Sequence, residues 1–139
     1  MRIRFKPLSE LFEIPKKAHE DDACYDLKVT SVKNTLFKST VYFGFAAEFG
    51  SNWIGDIRPR SSIHKRFLLL SNSPGTIDAG FRGEWRAVFY KLPFVSKPYK
   101  IGERAVQFRM APKFEPEFEK VKELSISLRD IGGFGSTGK

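Results

Sequence analysis

Two segments of the chain combine side chains that could hold an anion and direct water onto it. Pro59-Arg60-Ser61-Ser62 joins one guanidinium to two hydroxyl groups directly after a predicted strand, a combination suited to phosphate oxygens. Asp78 lies in a glycine-framed segment, residues 75–84, that predicts a hairpin with the carboxylate at its mouth. A carboxylate there could orient and deprotonate a water molecule. Taken singly, each segment is also typical of an ordinary turn, and the sequence places no histidine with an acid beside either serine to make it a nucleophile.

The end of the chain is a third candidate for anion binding. Residues 130–139 contain four glycines, whose backbone N–H groups can turn towards an anion, and Ser136 and Thr137 add hydroxyl donors. Phe134 could stack on a nucleobase, and Arg129 could bind a terminal phosphate through two N–H groups of its planar guanidinium. The segment is not a Walker loop, because its lysine comes last and no strand–loop–helix frame surrounds it. By itself it is equally typical of a floppy terminus.

Two further segments carry weaker signals. Gln107 is a conspicuous amide where a turn, residues 102–104, leads into a strand, and Asp26 is one of three acids near a predicted strand start. Residues of these types are more often ordinary loop or edge residues. Cys24, in the second segment, fits a small half-buried residue better than a nucleophile.

Short apolar and β-branched stretches separated by turn residues must position these groups. Many short strands at near-regular spacing predict an all-β sandwich or barrel. Only residues 8–14 and 116–123 have the composition for a helical turn or more, and the second segment could equally lead into a strand. The predicted strands are residues 2–6, 37–49, 52–58, 66–71, 85–92 and 105–111.

The composition limits the class of protein. A chain of 139 residues can bury a core large enough to fold as one domain without disulfides or a structural metal. The single cysteine excludes an internal disulfide, and two widely separated histidines argue against a histidine-based metal site. No apolar run approaches the roughly 20 residues that a membrane span needs. We therefore expect a protein of the reducing cytoplasm, without a membrane partner.

The charge favours an anionic ligand. Lys and Arg number 24 against 16 Asp and Glu, which gives a net charge of +8. The cations are spread along the whole chain with no run of five or more, so no specific nucleic acid is expected as a partner.

In chain order, these segments resemble the five motifs of the homotrimeric dUTPase family. The third and fifth motifs are the most specific, and the second and fourth contribute mainly by position. The resemblance extends from residue 23 to the end of the chain. The matching segments are residues 23–27, 59–62, 72–84, 102–107 and 129–138.

The resemblance implies a jelly-roll-like β-barrel over residues 1–128. It also implies a glycine-rich tail, residues 129–139, that closes over a neighbouring active site of a homotrimer. The implied reaction is hydrolysis of dUTP to dUMP and pyrophosphate with Mg²⁺ on the triphosphate. That activity would limit uracil incorporation into DNA and supply dUMP for dTMP synthesis.

The same resemblance implies roles for individual residues. Asp78 matches the catalytic acid that activates the water attacking the α-phosphorus. Arg60 and Ser61 match residues that hold the phosphate chain, and Gln107 matches the amide at the α-phosphate. Asp26 matches the acid that binds the metal indirectly, through water molecules of its hydration shell, a role that suits the well-hydrated Mg²⁺ ion.

The remaining matches concern substrate binding. Residues 72–78 match the uracil pocket, where main-chain groups pair with the base and exclude a 5-methyl group. Phe81 matches the aromatic residue beneath the deoxyribose, Phe134 the ring laid over uracil, and the other tail residues the γ-phosphate ligands. The substrate-binding residues so implied are Ser62, Asn72, Gly75, Thr76, Ile77, Phe81, Arg129, Phe134, Gly135, Ser136 and Thr137.

Three positions depart from the family pattern. Cys24 and Ser62 stand where the family usually has glycine, so the backbone at both must accept a Cβ. Phe81 stands where the family usually has tyrosine, so any bond made by a phenol oxygen is lost.

Three alternative functions remain open at this point. A dCTP deaminase shares the fold and similar motifs, but its chemistry needs a carboxylate by the base, and residues 85–102 contain no Asp or Glu. A nucleotide-responsive binding module could use the same scaffold to bind a partner protein. A nucleic-acid-binding β-domain is suggested only by the charge and the aromatic residues.

Overall fold

The computed structural model describes residues 1–127, and these residues form ten strands and one short 3-10 helix. The predicted tail, residues 129–139, lies outside them, together with Arg129, Phe134, Gly135, Ser136 and Thr137. The helix spans Ser61–Arg66. The strands are β1 Arg4–Pro7, β2 Tyr25–Lys28, β3 Ser31–Asn34, β4 Lys38–Tyr42, β5 Phe45–Glu48, β6 Trp53–Pro59, β7 Leu68–Leu70, β8 Gly75–Ile77, β9 Arg86–Lys91 and β10 Arg104–Pro112.

The strands form two four-stranded antiparallel sheets and a two-stranded ribbon. One sheet has the order β2-β10-β6-β8, the other β3-β4-β9-β7, and the ribbon pairs β1 with β5. Alternate residues of a strand point to opposite faces, so each sheet turns one row of side chains inward. In β4 the buried Ser39 and Val41 lie opposite the buried Phe89 and Ala87 of β9.

One hydrophobic cluster takes side chains from both sheets and therefore lies between them. Trp85, fully buried, is at its centre, with ring centroids 5.2 Å from Phe45 and 5.4 Å from Phe108. Aromatic pairs at these separations add stability beyond their buried area. The prediction of an all-β, jelly-roll-like fold is confirmed. No helix among residues 1–127 is long and apolar enough to cross a membrane.

Several predicted elements need correction. The expected strand 37–49 is interrupted at Gly44, whose φ of 70° breaks the extended backbone. Residues 8–14 and 116–123 form no helix, because neither is held by a regular set of backbone hydrogen bonds. The helix at Ser61–Arg66 was not predicted.

The predicted hairpin at residues 75–84 is also wrong. β8 pairs with β6 in one sheet, whereas β7 before it and β9 after it belong to the other. The segment therefore connects the two sheets. Glycine-rich turn chemistry indicates a reversal of the chain but does not say which strand each arm will pair with.

Candidate active site

Asp26 joins two arginines at one end of the first sheet. Arg60 Nε lies 2.9 Å from Oδ1 of Asp26, and Arg104 Nη1 lies 2.9 Å from Oδ2. The carboxylate is 12% exposed, and Arg60 also donates to the backbone carbonyl of Arg104 over 3.4 Å. A carboxylate with each oxygen bonded to a guanidinium holds both cations in fixed positions.

A β-bulge in β10 makes this arrangement possible. Arg104 pairs with Lys28 and Val106 with Leu27, so the intervening Ala105 is an extra residue on this strand. Residues three apart, such as Arg104 and Gln107, would point to opposite faces of a regular strand. With the extra residue absorbed, Gln107 lies opposite Asp26 while Arg104 reaches the same carboxylate.

Asp26, Arg60, Ser61 and Gln107 line one cavity of about 330 Å³. The Gln107 side-chain amide donates to the carbonyl of Pro59 over 3.3 Å, which ties β10 to the end of β6. Ser61 is exposed at the start of the helix, and Ser62 is half-buried beside it. The cavity thus presents one guanidinium, one hydroxyl and one amide, all of them groups that bind phosphate oxygens.

Arg66 fixes the far end of the helix. Its Nη2 lies 2.7 Å from Oε1 of Glu103, and its Nη1 donates to the carbonyl of Pro98 over 3.3 Å. Its guanidinium also stacks on Tyr99, 4.2 Å from the ring centroid. The hydrogen bond from Arg66 holds the pKa of Glu103 below the ordinary glutamate value. Burial raises the pKa of the Tyr99 phenol, which stays neutral. These contacts brace the helix that carries Ser61 against the turn that leads into β10.

Asp78 lies in a second cavity of about 230 Å³, whose lining includes Thr76, Ile77 and Phe81. The Phe81 N–H donates to the carbonyl of Asp78 over 3.0 Å and closes a tight turn. Arg82 donates to the carbonyls of Ala79 and Phe81 over 2.6 and 3.0 Å. The turn is therefore braced internally and presents the exposed Asp78 carboxylate beside the Phe81 ring.

Asn72 and Gly75 lie just before this turn. Gly75 is buried in β8, and a Cβ built there would lie 3.2 Å from the side-chain nitrogen of Asn72. The asparagine amide therefore lies where a side chain at residue 75 would point, in the segment that the family resemblance assigns to the base pocket.

The predicted residues thus fall into two groups. Asp26, Arg60, Ser61 and Gln107 share the first cavity, whereas Thr76, Ile77, Asp78 and Phe81 share the second. Arg60 and Asp78 therefore line different cavities of the described residues.

Cys24 lines the first cavity and is half-buried and free. Its φ is not positive, so the backbone at this position accepts a Cβ without strain. Ser62 likewise has no positive φ.

Arg104, Glu103 and Arg66 are the contributors that sequence reasoning missed. Arg104 lies inside the fourth motif, but its odd spacing from Gln107 indicates opposite faces in the absence of a bulge. Glu103 and Arg66 are 37 positions apart, and nothing local to either residue predicts their contact.

A metal ion has only a limited set of protein ligands here. Among residues 1–127, no three His, Cys, Asp or Glu side chains lie together as they do in a metal cage. Asp26 can still accept hydrogen bonds from metal-bound water, because a carboxylate has about four acceptor positions and the arginines take two. The donor set therefore fits Mg²⁺ held through water and substrate phosphates, the usual mode for this ion.

Comparisons with known proteins identify relatives of this chain. A family model described as dUTPase matches residues 10–138. The deoxyuridine 5'-triphosphate nucleotidohydrolase of Clostridium tetani is 36% identical over 140 residues, which cover 99% of this chain and 97% of the relative.

Solved structures show the same fold. The dUTPase of Staphylococcus bacteriophage 80alpha, a mutant solved with dUpNHpp, superposes with a TM-score of 0.84 at 24% identity, covering 99% of both chains. A mutant dUTPase from phage phi11 of S. aureus, described with a structural Mg(II) ion, has a TM-score of 0.72 at 21% identity, covering 91% of this chain and 100% of that one.

Proposed function

Because this chain belongs to the dUTPase family, we propose that it hydrolyses dUTP to dUMP and pyrophosphate by attack of an Asp78-held water on the α-phosphorus. The chain is a dUTP diphosphatase by the family model and by its curated relatives. The observation that carries the proposed mechanism is the first cavity. There the Arg60 guanidinium and the Ser61 hydroxyl, from one motif, converge with the Gln107 amide, from a motif distant along the chain.

In the proposed step, the Asp78 carboxylate orients a water molecule and takes its proton as the oxygen bonds to the α-phosphorus. The bond from that phosphorus to the bridging oxygen of the β-phosphate breaks, and pyrophosphate leaves with the electron pair. Solvent then takes the proton from Asp78. Such a transfer needs positioning and charge stabilisation more than a protein nucleophile, which fits the groups present.

Arg60, Ser61 and Gln107 are proposed to bind the phosphate chain. The ion pair with Asp26 holds the Arg60 guanidinium in place before the substrate arrives, so little side-chain entropy is lost on binding. Mg²⁺, when bound to the triphosphate, would neutralise part of its charge, and Asp26 would hold one of the waters around the ion.

The separation of the two cavities supports a site shared between chains. A catalytic water held at Asp78 must reach the phosphate bound near Arg60, and within one described chain these residues line different cavities. We therefore propose the homotrimer, in which Asp78 of one protomer serves the phosphate cavity of another. Large apolar side chains exposed beyond β10 are consistent with a partner surface. These are Phe114, Phe118, Leu124 and Ile126.

The tail and the base pocket complete the proposal. Arg129, Ser136 and Thr137 would bind the γ-phosphate and Phe134 would cover uracil, with Gly135 allowing the close approach. Asn72, Gly75, Thr76 and Ile77 would form the uracil pocket, with Ser62 beside the phosphates. The cellular roles in limiting uracil in DNA and supplying dUMP, and the cytoplasmic location, stay predictions.

Pyrophosphate release across four nucleotides with Mg²⁺ tests the function directly. We expect turnover of dUTP and little of dTTP, dCTP or UTP, which separates the base, methyl and sugar requirements. Ammonia release from dCTP would instead indicate a deaminase. Absence of turnover with retained dUTP binding would indicate a binding module.

Asp78→Asn tests the proposed role of the carboxylate. Asparagine keeps the size of the side chain but cannot take a proton, so we expect turnover to fall by about 10³-fold. Binding of dUpNHpp, measured by calorimetry, should be retained. Turnover within about threefold of the parent would contradict the assignment.

A further inference from the structure

The Phe81 ring lies directly against the bare Cα of Gly83. An ideal Cβ built on Gly83 would lie 2.5 Å from Cζ, 2.9 Å from Cε2 and 3.3 Å from Cε1 of this ring. Carbon atoms in favourable contact are about 3.5–4.0 Å apart, so the ring occupies the space that any larger residue would take. The contact involves the far end of the ring, which is the end that a rotation of the side chain moves furthest.

The backbone beneath the ring is fixed. The Phe81 N–H is bonded to the Asp78 carbonyl, and Arg82 holds the carbonyls of Ala79 and Phe81. The ring is 43% exposed and shares its cavity with Asp78. Because phenylalanine has no hydroxyl group, no hydrogen bond can set the ring position. Packing must do so, and residue 83 supplies one of the surfaces against which the ring packs.

We propose that Gly83 is a positioning residue that sets the depth of the Phe81 ring and, through it, the discrimination between deoxyribose and ribose. This inference rests on the proposed function, in which Phe81 lies beneath the sugar. A ring seated on Gly83 leaves room for a 2'-deoxy carbon but not for a hydroxyl. A methyl group at residue 83 raises or rotates the ring and removes that fit.

Gly80 provides a matched control in the same turn. A Cβ at Gly80 would have no atom within 4 Å, and neither Gly80 nor Gly83 has a positive φ. Alanine therefore strains the backbone at neither position, and both substitutions reduce the freedom of the unfolded chain equally. The close contact with Phe81 therefore distinguishes the two variants.

The test measures kcat and KM for dUTP and UTP in the parent, Gly83→Ala and Gly80→Ala. We expect Gly83→Ala to lower the dUTP-over-UTP ratio of kcat/KM by about tenfold, because a single misplaced contact in an apolar pocket is worth that much. Most of the loss should appear in KM for dUTP. Gly80→Ala should stay within about twofold of the parent, as a surface substitution away from any contact does. An equal dUTP-over-UTP ratio of kcat/KM in Gly83→Ala and Gly80→Ala would overturn the inference.

A double-mutant cycle separates the ring contact from any other role of Gly83. In a Phe81→Ala background the ring is absent, so adding Gly83→Ala should change the ratio by less than about twofold. A further loss there would show that Gly83 acts independently of Phe81 and would overturn the inference. If the single variant Gly83→Ala fails to fold, the double variant should still fold, because the clash with the ring is gone. Failure of both variants to fold would overturn the inference.

The same measurements distinguish this inference from the proposed function. A parent without dUTP turnover would overturn the function and the inference with it. An active parent whose Gly83→Ala variant keeps its sugar discrimination would overturn the inference alone.

Discussion

Asp26→Asn should weaken both the folded state and the phosphate-binding cavity. The carboxylate accepts 2.9 Å contacts from Arg60 and Arg104, and it is only 12% exposed. Asparagine retains one acceptor oxygen but turns an NH₂ group towards the second guanidinium. One charge-assisted hydrogen bond is lost and one cation is left without its acceptor.

The size of the effect follows from these contacts. A hydrogen bond to a charged group contributes about 1.5–3 kcal/mol, and the arginines are partly exposed, so we expect a loss of about 2 kcal/mol in the free energy of unfolding. For a domain of this size that lowers Tm by roughly 6 °C. A guanidinium displaced by about 1 Å from its phosphate position should lower kcat/KM for dUTP by about 100-fold.

The assay pairs pyrophosphate release with thermal unfolding. Asp21→Asn, an exposed acid in the segment that leads to β2, is the matched control and should leave both quantities nearly unchanged. Arg104→Gln removes only one of the two ion pairs and should lie between Asp26→Asn and the parent. An Asp26→Asn protein with kcat/KM within about threefold of the parent would refute the idea that this carboxylate positions Arg60.

Three further predictions concern pH, the sugar contact and the tail. The pKa of Glu103 is lower in the folded than in the unfolded state, so its bond to Arg66 stabilises the fold fully near pH 6 and less as the pH falls below about 4. Urea unfolding at several pH values should show that the free energy of unfolding falls by about 1 kcal/mol over this pH range, and that Glu103→Gln abolishes this fall. A Glu103→Gln variant with the pH dependence of the parent would contradict the prediction. Phe81→Tyr should keep turnover within about an order of magnitude, and a larger change in either direction would show that the hydroxyl matters. Truncation after Leu128 should leave a folded trimer by light scattering but lower turnover by about 10³-fold or more, whereas near-normal rates would remove the tail from the site.

Local sequence patterns predicted the all-β class and most strands among residues 1–127, but they indicated no strand at β3 or β8. Alternation of apolar and polar residues marks strands wherever one face of a sheet is buried, as in residues 2–6 with Ile3 and Phe5 packed against the core. The 3-10 helix could not be predicted in this way. Its six residues bury no side chain, and it is held by the contacts of Arg66 with Glu103 and Tyr99.

The residue types of the candidate site were accessible from sequence, because phosphate chemistry requires particular groups in particular motifs. Arg60 was singled out in this way, Gln107 and Asp26 gained their roles from the family resemblance, and the structure brings all three to one cavity. Arg104 was not, although it lies three residues before Gln107. Its role depends on the bulge at Ala105, which no pattern in β10 by itself reveals.

The sequence by itself determined the all-β class and the ordered motifs that place the chain in its family. Only the tertiary structure decided that Arg104 and Gln107 flank one carboxylate, that residues 75–84 link two sheets, and that a phenylalanine ring lies on Gly83. The physical reason is that side-chain periodicity is a property of one strand. Register, bulges and ring contacts are set by partners distant along the chain, and their energies appear only when those partners meet.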